Sequence, residues 1–496
     1  MASSLGFRSP LAGHAAIVRH ATAALLPLAV AAFPLASGCA RSLSAPNLGD
    51  LYGEPARYHS ADRNPVIVIP GILGSKLRQA GTNAAVWGAF TPDAADPTTA
   101  EGARLVGLPM RTGAKLSELT DDVEPAGVLD RVKLQVFGLP ISVRAYANIL
   151  ATLGVGGYRD ELLGRSGAID YGGEHYTCFQ FDYDWRRDNV ENARRLHEFI
   201  LSRRNYVCGK IKERFRVERD NVRFDIVAHS MGGLVARYYL MYGGADLPDE
   251  GPIPAPSWEG AKHVERVVLV GTPNAGSAEA VIELVNGADF GAVLPAYPPA
   301  VLGTMPSIYQ LLPRSRHRPL VSAVRNQPVD VDSMSPETWE TFGWGLADPA
   351  ADRWLSKLLP EERDPARRRE IALDHQRKCL ARAVRFAAAL DQPATPPDPV
   401  QLYLFAGDAK QTPQTVAVPS GGGPVTVAAY GPGDGTVVRS SALLDERMGR
   451  SFSPELKSPI PWRQVTFLFD DHIGLTRDPA FTDNVLYLLL ERPGGS

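Results

Sequence analysis

The sequence predicts an α/β fold built on a mainly parallel sheet, and three observations support this. Short apolar and β-branched runs alternate with segments of helical periodicity along most of the chain, which is typical of βαβ units. One of these runs passes through Ser230 directly into a helical pattern. The 496 residues are 44% hydrophobic and 22% charged, an ordinary globular composition that excludes extensive disorder.

The charge balance excludes one broad class of function. Lysine and arginine number 52 and aspartate and glutamate 55, so the formal net charge is −3. A nucleic-acid-binding protein would present a strongly basic surface instead. We therefore expect no nucleic-acid partner.

Residues 1–38 are predicted to be a signal peptide of the lipoprotein type. Two arginines precede an apolar run at residues 21–38, and Pro27 and Pro34 interrupt this run, which argues against a stable membrane helix. The run ends in Leu-Ala-Ser-Gly-Cys, which resembles a bacterial lipobox that makes Cys39 the lipidated N-terminus. The alternative is an ordinary signal peptide cleaved nearby, with Cys39 incidental.

A lipidated Cys39 predicts a protein attached to a membrane surface of the bacterial envelope. Ala40 follows this cysteine, and in the lipoprotein sorting pattern the absence of aspartate there favours the outer membrane or its periplasmic face. Residues 39–62 are then expected to be a tether, and residues 63–496 the folded domain. The sequence does not predict an oligomeric state.

Cysteine spacing predicts no metal site, and we expect no cofactor. Cys178, Cys208 and Cys379 are far apart and show no C-x-x-C pattern. One disulfide among them is possible in an oxidising compartment. Buried free thiols are the expected state.

Apolar and helical periodicity places the elements of the domain along the chain. Strands are predicted at residues 65–71, 178–181, 222–227, 267–270, 401–405 and 464–469. Helices are predicted at residues 194–214, 232–239, 364–390 and 479–490.

Two stretches interrupt this alternation and are predicted to be insertions on the α/β core. Residues 76–140 are rich in loops and are expected to form a lid. Residues 272–398 combine proline-rich loops with the charged helix at 364–390 and are expected to form a cap. The three arginines at 367–369 are interpreted as a solvated face of that helix.

The residues around Ser230 carry the strongest chemical signal. A strand that runs into a serine and turns at once into a helix forms a nucleophile elbow, which requires small residues two positions before and after the serine. Gly232 fits the G-x-S-x-G pattern, while Ala228 replaces its first glycine. We predict that Ser230 is a nucleophile.

A serine nucleophile needs a histidine base, and that base needs an acid that orients it. In this architecture the chain order is serine, acid, histidine. His472 follows the last predicted strand and is the predicted base. His229 is interpreted as a packed neighbour of the serine, and His375 as a surface residue of the cap helix.

Two carboxylates compete for the role of the acid. Asp434 lies in a glycine-rich loop, Gly-Pro-Gly-Asp-Gly, that can present a carboxylate from a rigid turn. Asp408 follows its strand more directly. A Gly-Asp-Gly segment can also be a plain hairpin turn.

Acyl chemistry also needs backbone N–H donors for the oxyanion. Met231, directly after the nucleophile, is one predicted donor. Ile72, in the Pro-Gly-Ile-Leu-Gly loop after the first strand, is the other. The alternative for that loop is a strand that simply ends at Pro-Gly.

Several of these segments together resemble the lecithin:cholesterol acyltransferase family of α/β-hydrolases, which includes lysosomal phospholipase A2 and phospholipid:diacylglycerol acyltransferases. The similar segments follow in family order: PVIVIPGILGSKL at 65–77, FDYDWR at 181–186, DIVAHSMGGLVARYYL at 225–240, VGTPNAGS at 270–277, GDGTV at 433–437 and DDHIGL at 470–475.

The resemblance implies an α/β-hydrolase fold and a Ser230–Asp434–His472 triad, with Asp434 preferred over Asp408 and with Ile72 and Met231 as oxyanion donors. It implies cleavage of a fatty-acyl ester of a phospholipid or other acyl lipid, and transfer of the acyl group to a lipid alcohol or water.

The early insertion lacks the lid disulfide of animal members, and Trp87 is only a loose counterpart of a lid aromatic. The Asp-Trp-Arg segment at 184–186 is expected to be structural, holding the insertions on the core. The alternatives are a lipase or carboxylesterase acting on another hydrophobic ester, and a non-catalytic lipid-binding protein of the envelope.

Overall fold

The sheet at the centre of the molecule consists of six parallel strands, as predicted. The computed structural model describes residues 45–491 except 89–94, 130–132, 137–138, 143, 165–168, 290–294 and 449–452, and within 133–145 it describes the backbone alone. The strands of the chain are β1 (Val66–Ile69), β2 (Ser75–Gln79), β3 (Ala85–Trp87), β4 (Val123–Val128), β5 (Lys133–Val136), β6 (Leu139–Ser142), β7 (Cys178–Gln180), β8 (Phe224–His229), β9 (Val264–Val270), β10 (Leu320–Ser322), β11 (Gln401–Gly407), β12 (Lys410–Val418), β13 (Thr426–Gly433) and β14 (Trp462–Leu468).

The central sheet has the strand order β14-β11-β9-β8-β1-β7. Every neighbouring pair in it is parallel. Strands β1 and β8 are fully buried, which is why they read as continuous apolar runs rather than as alternating ones. Because parallel strands end at the same edge, the residues after β8, β11 and β14 meet there.

Helices cover both faces of this sheet. They are α1 (Leu48–Arg57), α2 (Ala100–Val106), α3 (Arg144–Val155), α4 (Asn189–Phe215), α5 (Met231–Tyr242), α6 (Ala278–Asn286), α7 (Pro299–Leu302), α8 (Pro306–Tyr309), α9 (Pro336–Phe342), α10 (Asp352–Leu358), α11 (Pro365–Leu390), α12 (Arg439–Leu443) and α13 (Pro479–Leu490). The predicted strands and long helices are confirmed, with ends shifted by a few residues. All residues of α5 are buried.

The folded unit, Pro46–Ser496, begins earlier than predicted. Helix α1 lies inside the segment expected to be a tether, and it packs on α3 and α13. The Tyr52 hydroxyl donates to the carboxylate of Asp483 on α13 at 2.6 Å. The described part of the predicted tether therefore belongs to the domain. The predicted signal peptide and Cys39 lie outside the described residues.

The early insertion contains more regular structure than its loop-rich sequence suggests. Strands β3, β2 and β4 form a small antiparallel sheet there. Trp87 is buried at its edge, and its indole N–H donates to the Leu73 carbonyl at 2.8 Å. Trp87 therefore faces the core of the protein.

The Asp-Trp-Arg segment holds the insertions on the core, as predicted. The buried Arg186 pairs with Asp184 at 2.8 Å and with Asp121 of the early insertion at 2.9 Å. The Trp185 indole donates to the Ser75 carbonyl at 3.2 Å, and the Trp185 carbonyl accepts from the Ser307 hydroxyl of the late insertion.

Two interpretations of the cap helix α11 are wrong. His375 is buried and hydrogen-bonded to the Thr304 carbonyl at 3.0 Å, because α11 packs with this face on earlier parts of the same insertion. Arg368 is likewise buried, in a bidentate ion pair with Asp352 of α10. Its neighbours at 367 and 369 are exposed, as expected of a solvated face.

One further element is absent from the sequence prediction. Strands β10, β12 and β13 form a three-stranded sheet, in which β12 and β13 pair as an antiparallel hairpin. This hairpin leaves the end of β11 and returns to it. Within the described part of the chain, no helix is long and apolar enough to cross a membrane, and Cys178, Cys208 and Cys379 are free thiols.

Candidate active site

Ser230 lies in a strained turn between β8 and α5. Its backbone has φ of 53° and ψ of −129°, a conformation that non-glycine residues rarely adopt. The Ser230 N–H donates to the Val270 carbonyl at 2.8 Å, which anchors the turn to the neighbouring strand. This geometry is that of the predicted nucleophile elbow.

The elbow is tight enough to require glycine on both of its sides. A Cβ at Gly232 would lie 2.3 Å from the Pro70 carbonyl oxygen, and one at Gly71 would lie 2.7 Å from the Ser230 Cβ. The loop after β1 therefore lies directly against the serine. Ala228 is fully buried without opening this turn, so the methyl group that departs from the G-x-S-x-G pattern is accommodated.

The structure brings Ser230, His472 and Asp434 together in one hydrogen-bonded chain. Ser230 Oγ lies 3.0 Å from His472 Nε2, and His472 Nδ1 lies 2.8 Å from Asp434 Oδ2. A carboxylate can only accept, so His472 carries its proton on Nδ1, and Nε2 accepts from the serine hydroxyl. All three side chains are buried.

Asp434 is held from two sides. Its Oδ1 accepts backbone N–H bonds from Thr436 at 2.9 Å and Val437 at 2.7 Å, which leaves Oδ2 for the histidine. The His472 N–H donates to the Asp434 carbonyl at 2.8 Å, so the two residues are linked through their backbones as well. The carboxylate is therefore fixed in position.

Asp408, the rival carboxylate, does not reach this chain. Its side chain is 19% exposed, against 1% for Asp434, and it points to the Arg439 guanidinium 3.4 Å away. The geometry favours Asp434 as the partner of His472.

The loop after β1 and the start of α5 present backbone N–H groups beside Ser230. Met231 is the first residue of α5, where N–H groups have no acceptor inside the helix. The Gly74 N–H donates to the Gly71 carbonyl at 3.0 Å and closes a turn around Ile72. Among the described residues, the Ile72 N–H donates to no protein group.

The described residues of the site offer a hydroxyl, an imidazole, a carboxylate and backbone N–H groups. In the part of the chain that the structure describes, no cluster of His, Cys, Asp and Glu is arranged to hold a metal ion. The arrangement can activate a hydroxyl nucleophile, shuttle one proton through His472, and stabilise an oxyanion between two N–H donors.

His229 is packed beside the serine, as interpreted from the sequence, but the sequence indicates neither its hydrogen bonds nor the role of Tyr146. His229 is fully buried and bonded through both ring nitrogens, and Tyr146 of α3 is one of its partners. The only sequence signal was the histidine directly before the nucleophile, and it does not distinguish a packed ring from a bonded one.

A protein-family model matches part of the chain. Residues 168–338 match the model of lecithin:cholesterol acyltransferase. The chain therefore has an α/β-hydrolase fold and resembles the lecithin:cholesterol acyltransferase family over residues 168–338. The resemblance and the fold class inferred from the sequence are thereby confirmed. The matched segment of this hydrolase includes Ser230 and ends before Asp434 and His472.

Solved structures resemble the hydrolase at low identity. A chain in the crystal structure of the Tle4–Tli4 complex has a TM-score of 0.55 and 16% identity, and the match covers 87% of this chain and 99% of that one. This likeness concerns the fold alone.

Bacillus licheniformis lipase BlEst2 in its propeptide form has a TM-score of 0.29 and 11% identity, covering 89% of this chain and 53% of that one. Lipase 1 from Pelosinus fermentans has a TM-score of 0.30 and 12% identity, covering 87% and 100%. A comparison with curated proteins gives no match.

Proposed function

We propose that this protein is a serine-dependent acyl hydrolase or O-acyltransferase of lipid metabolism. It cleaves a fatty-acyl ester of a phospholipid or other acyl lipid and passes the acyl group to water or to a lipid alcohol. The observation that carries this proposal is the buried chain from Ser230 through His472 to Asp434, with distances of 3.0 and 2.8 Å. The match of residues 168–338 to the lecithin:cholesterol acyltransferase model supports a lipid ester as the substrate.

The first half of the reaction forms an acyl-enzyme. Ser230 Oγ attacks the ester carbonyl carbon while its proton passes to His472 Nε2, and Asp434 stabilises the resulting imidazolium. The carbonyl oxygen becomes an oxyanion that the Ile72 and Met231 N–H groups stabilise. When this intermediate collapses, the alcohol leaves with the proton from His472, and the acyl group stays on Ser230.

The second half transfers the acyl group. Water or a lipid alcohol gives its proton to His472 Nε2 and attacks the acyl carbon through a second oxyanion. Collapse returns the proton to Ser230 Oγ and releases a fatty acid or a new ester. Both outcomes use the same residues. The choice between them depends on whether water reaches the acyl-enzyme or a bound lipid alcohol excludes it.

The site of action that we propose is a membrane surface of the bacterial envelope, reached through a lipid anchor on Cys39. The support for this is the sequence alone, in which a lipobox-like segment ends an apolar run. The chemistry proposed here uses no cofactor and no metal.

Product analysis tests the proposal directly. The purified protein is incubated with mixed phospholipid vesicles, with and without long-chain alcohol, sterol or diacylglycerol, and products are identified by mass spectrometry. We expect free fatty acid without an acceptor and a measurable fraction of new ester with one. Ser230→Ala should abolish both products, while Ser202→Ala, an exposed serine of α4, should change neither.

The outcomes separate the alternatives. Fatty acid without ester under every acceptor leaves a hydrolase and contradicts acyl transfer. Cleavage restricted to other hydrophobic esters indicates a lipase or carboxylesterase. If the wild-type protein yields no product and a fluorophosphonate probe does not label Ser230, the protein is not a serine-dependent enzyme and the proposal fails.

A further inference from the structure

Two buried tyrosines hold one peptide unit of the loop after β1. The Tyr183 hydroxyl donates to the Pro70 carbonyl at 2.9 Å, and the Tyr146 hydroxyl accepts from the Gly71 N–H at 2.7 Å. These are the two polar groups of the same peptide plane. Because a peptide is planar, two such bonds fix its orientation, and it directly precedes the peptide that carries the Ile72 N–H.

The rest of that loop is bonded in the same way. The Gly71 carbonyl accepts from the Gly74 N–H at 3.0 Å, and the Leu73 carbonyl accepts from the Trp87 indole at 2.8 Å. Leu73 has a φ of 61°, which closes the turn. Peptide groups before and after the Ile72 N–H are therefore held by hydrogen bonds, which fixes the loop that carries it.

Tyr146 continues to the base through His229. Its hydroxyl lies 3.1 Å from His229 Nδ1, and His229 Nε2 lies 3.0 Å from the backbone carbonyl of His472. The Gly71 N–H fills the acceptor side of the Tyr146 hydroxyl, so the hydroxyl proton points to Nδ1. His229 then carries its own proton on Nε2, where the His472 carbonyl accepts it.

The charge states agree with this assignment. Burial, and next the nearby His472 ring, lower the pKa of His229 to about 3, so the ring is neutral near pH 7. Burial raises the pKa of the Tyr146 phenol, so it stays protonated. The hydrogen bonds therefore run in one direction: Gly71 N–H donates to Tyr146, Tyr146 to His229, and His229 to the His472 carbonyl. We call the middle pair the Tyr146–His229 link.

We propose that the Tyr146–His229 link positions the catalytic machinery, by fixing the loop that carries the Ile72 N–H relative to the loop that carries His472. The inference rests on the proposed function. Neither residue is hydrogen-bonded to a reacting atom: the Tyr146 hydroxyl accepts from a backbone N–H, and His229 Nε2 donates to a backbone carbonyl while its ring packs on the His472 ring, with centroids 4.8 Å apart. Both act through the geometry of other groups, and they are positioning residues.

The link matters most in the transition state. The oxyanion exists only after Ser230 attacks, so a displaced Ile72 N–H weakens stabilisation of that state and not of the bound ester. A displaced His472 lengthens the 3.0 Å contact with Ser230 Oγ. Breaking the link should therefore lower kcat with little change in KM.

Tyr146→Phe removes one hydroxyl and keeps the ring. We expect kcat to fall by on the order of 10- to 100-fold, less than the roughly 10²- to 10³-fold that complete loss of an oxyanion donor costs, with KM within about twofold. A boronic acid that forms a tetrahedral adduct on Ser230 should lose affinity by a similar factor. Tyr158→Phe is the matched control, since Tyr158 is equally buried and its hydroxyl faces the Leu489 carbonyl. It should keep kcat and boronate affinity at wild-type values, and both variants should have similar melting temperatures.

Substitutions of His229 separate positioning from packing. A glutamine amide can occupy the Nε2 position and still donate to the His472 carbonyl, whereas leucine fills similar volume and donates nothing. We expect His229→Gln to retain several times the kcat of His229→Leu. In the double variant with Tyr146→Phe, the losses should be less than multiplicative, because both changes break one chain.

The failures are distinguishable. If wild-type protein cleaves esters but Tyr146→Phe and His229→Leu retain wild-type kcat, the link has no positioning role and the proposed function stands. A loss that appears in KM alone, or only in step with a lower melting temperature, also overturns the inference. If wild-type protein cleaves no ester, the proposed function and this inference fail together.

Discussion

Gly407 lies under Asp434, so closely that a Cβ at position 407 would be 2.6 Å from the Asp434 Cβ. Gly407 is the last residue of β11, and Asp434 follows β13. The hairpin of β12 and β13 thus carries the chain away from the end of β11 and returns it to the same point. Asp434, the acid that contacts His472, therefore lies beside the end of β11, although the hairpin separates the two in the sequence.

Gly407→Ala is expected to lower activity without removing any catalytic group. The methyl group must displace Asp434, and a displacement of about 1 Å in a catalytic group can reduce the rate by about 100-fold. Gly421→Ala on the same hairpin is the control, because a Cβ there meets nothing within 4 Å. The measurement is kcat/KM on a soluble ester. Equal values for the two variants would show that Asp434 does not need this position.

Asp434→Asn should reduce kcat by on the order of 10⁴, the effect of losing the acid that orients the base. The neutral amide cannot stabilise an imidazolium, and its NH2 group can hold the His472 ring in the wrong tautomer. Asp408→Asn should leave kcat within a few-fold, since its carboxylate faces the Arg439 guanidinium at 3.4 Å and does not reach His472. A greater loss in Asp408→Asn than in Asp434→Asn would reverse the assignment of the acid.

Arg186→Met should destabilise the fold strongly. It leaves the buried Asp184 and the largely buried Asp121 without their partner, and removing one member of a buried ion pair costs about 3–5 kcal/mol. Arg78→Met, which breaks a half-exposed pair with Glu124, should cost at most about 1 kcal/mol. Guanidinium unfolding measures both. Similar midpoints for the two variants would mean that Arg186 does not hold the insertions.

His375→Gln should flatten the loss of stability in acid. Burial lowers the pKa of His375 to about 4, so as pH falls below about 6.5 the unfolded chain takes up a proton that the folded chain refuses. The contribution of neutral His375 is complete above pH 6.5 and declines as pH falls towards 4, at up to about 1.4 kcal/mol per pH unit. Glutamine can still donate to the Thr304 carbonyl. Unfolding free energies at pH 7, 5.5 and 4.5 should fall less steeply in the variant, and slopes matching the wild type would exclude a neutral His375.

Cys39→Ala should release the protein from membranes or leave it uncleaved, if the cysteine carries the lipid. Membrane fractionation with mass spectrometry of the mature N-terminus is the measurement. A wild-type protein that is already soluble, with an N-terminus that bears no lipid, would contradict the anchor.

The sequence predicts the central sheet well because all of its strands except β14 are largely buried on both faces. Such strands appear as apolar runs whatever surrounds them, and the Ser230 elbow carries a local steric signature in Gly232. Local patterns of this kind survive any tertiary context.

The features that the sequence does not predict depend on contacts between distant segments. Helix α1 is bonded to Asp483 of α13, and the buried His375 is bonded to the Thr304 carbonyl. The role of Asp434 depends on a hairpin that returns the chain to Gly407. Likewise, a histidine before the nucleophile gives no sign of Tyr146, which lies on a different helix.

The contacts of Arg186 and Trp185 also constrain how substrates are told apart. They join described parts of both insertions to the segment after β7 through buried bonds. Swinging the early insertion outwards would take Asp121 from the buried Arg186 guanidinium, and swinging the late one would break the bonds from Ser307 to the Trp185 and Arg186 carbonyls. We therefore expect these parts to stay fixed on the core. Under the proposed function, an insertion wall of fixed shape that borders the substrate would accept flexible acyl chains better than bulky rigid ones.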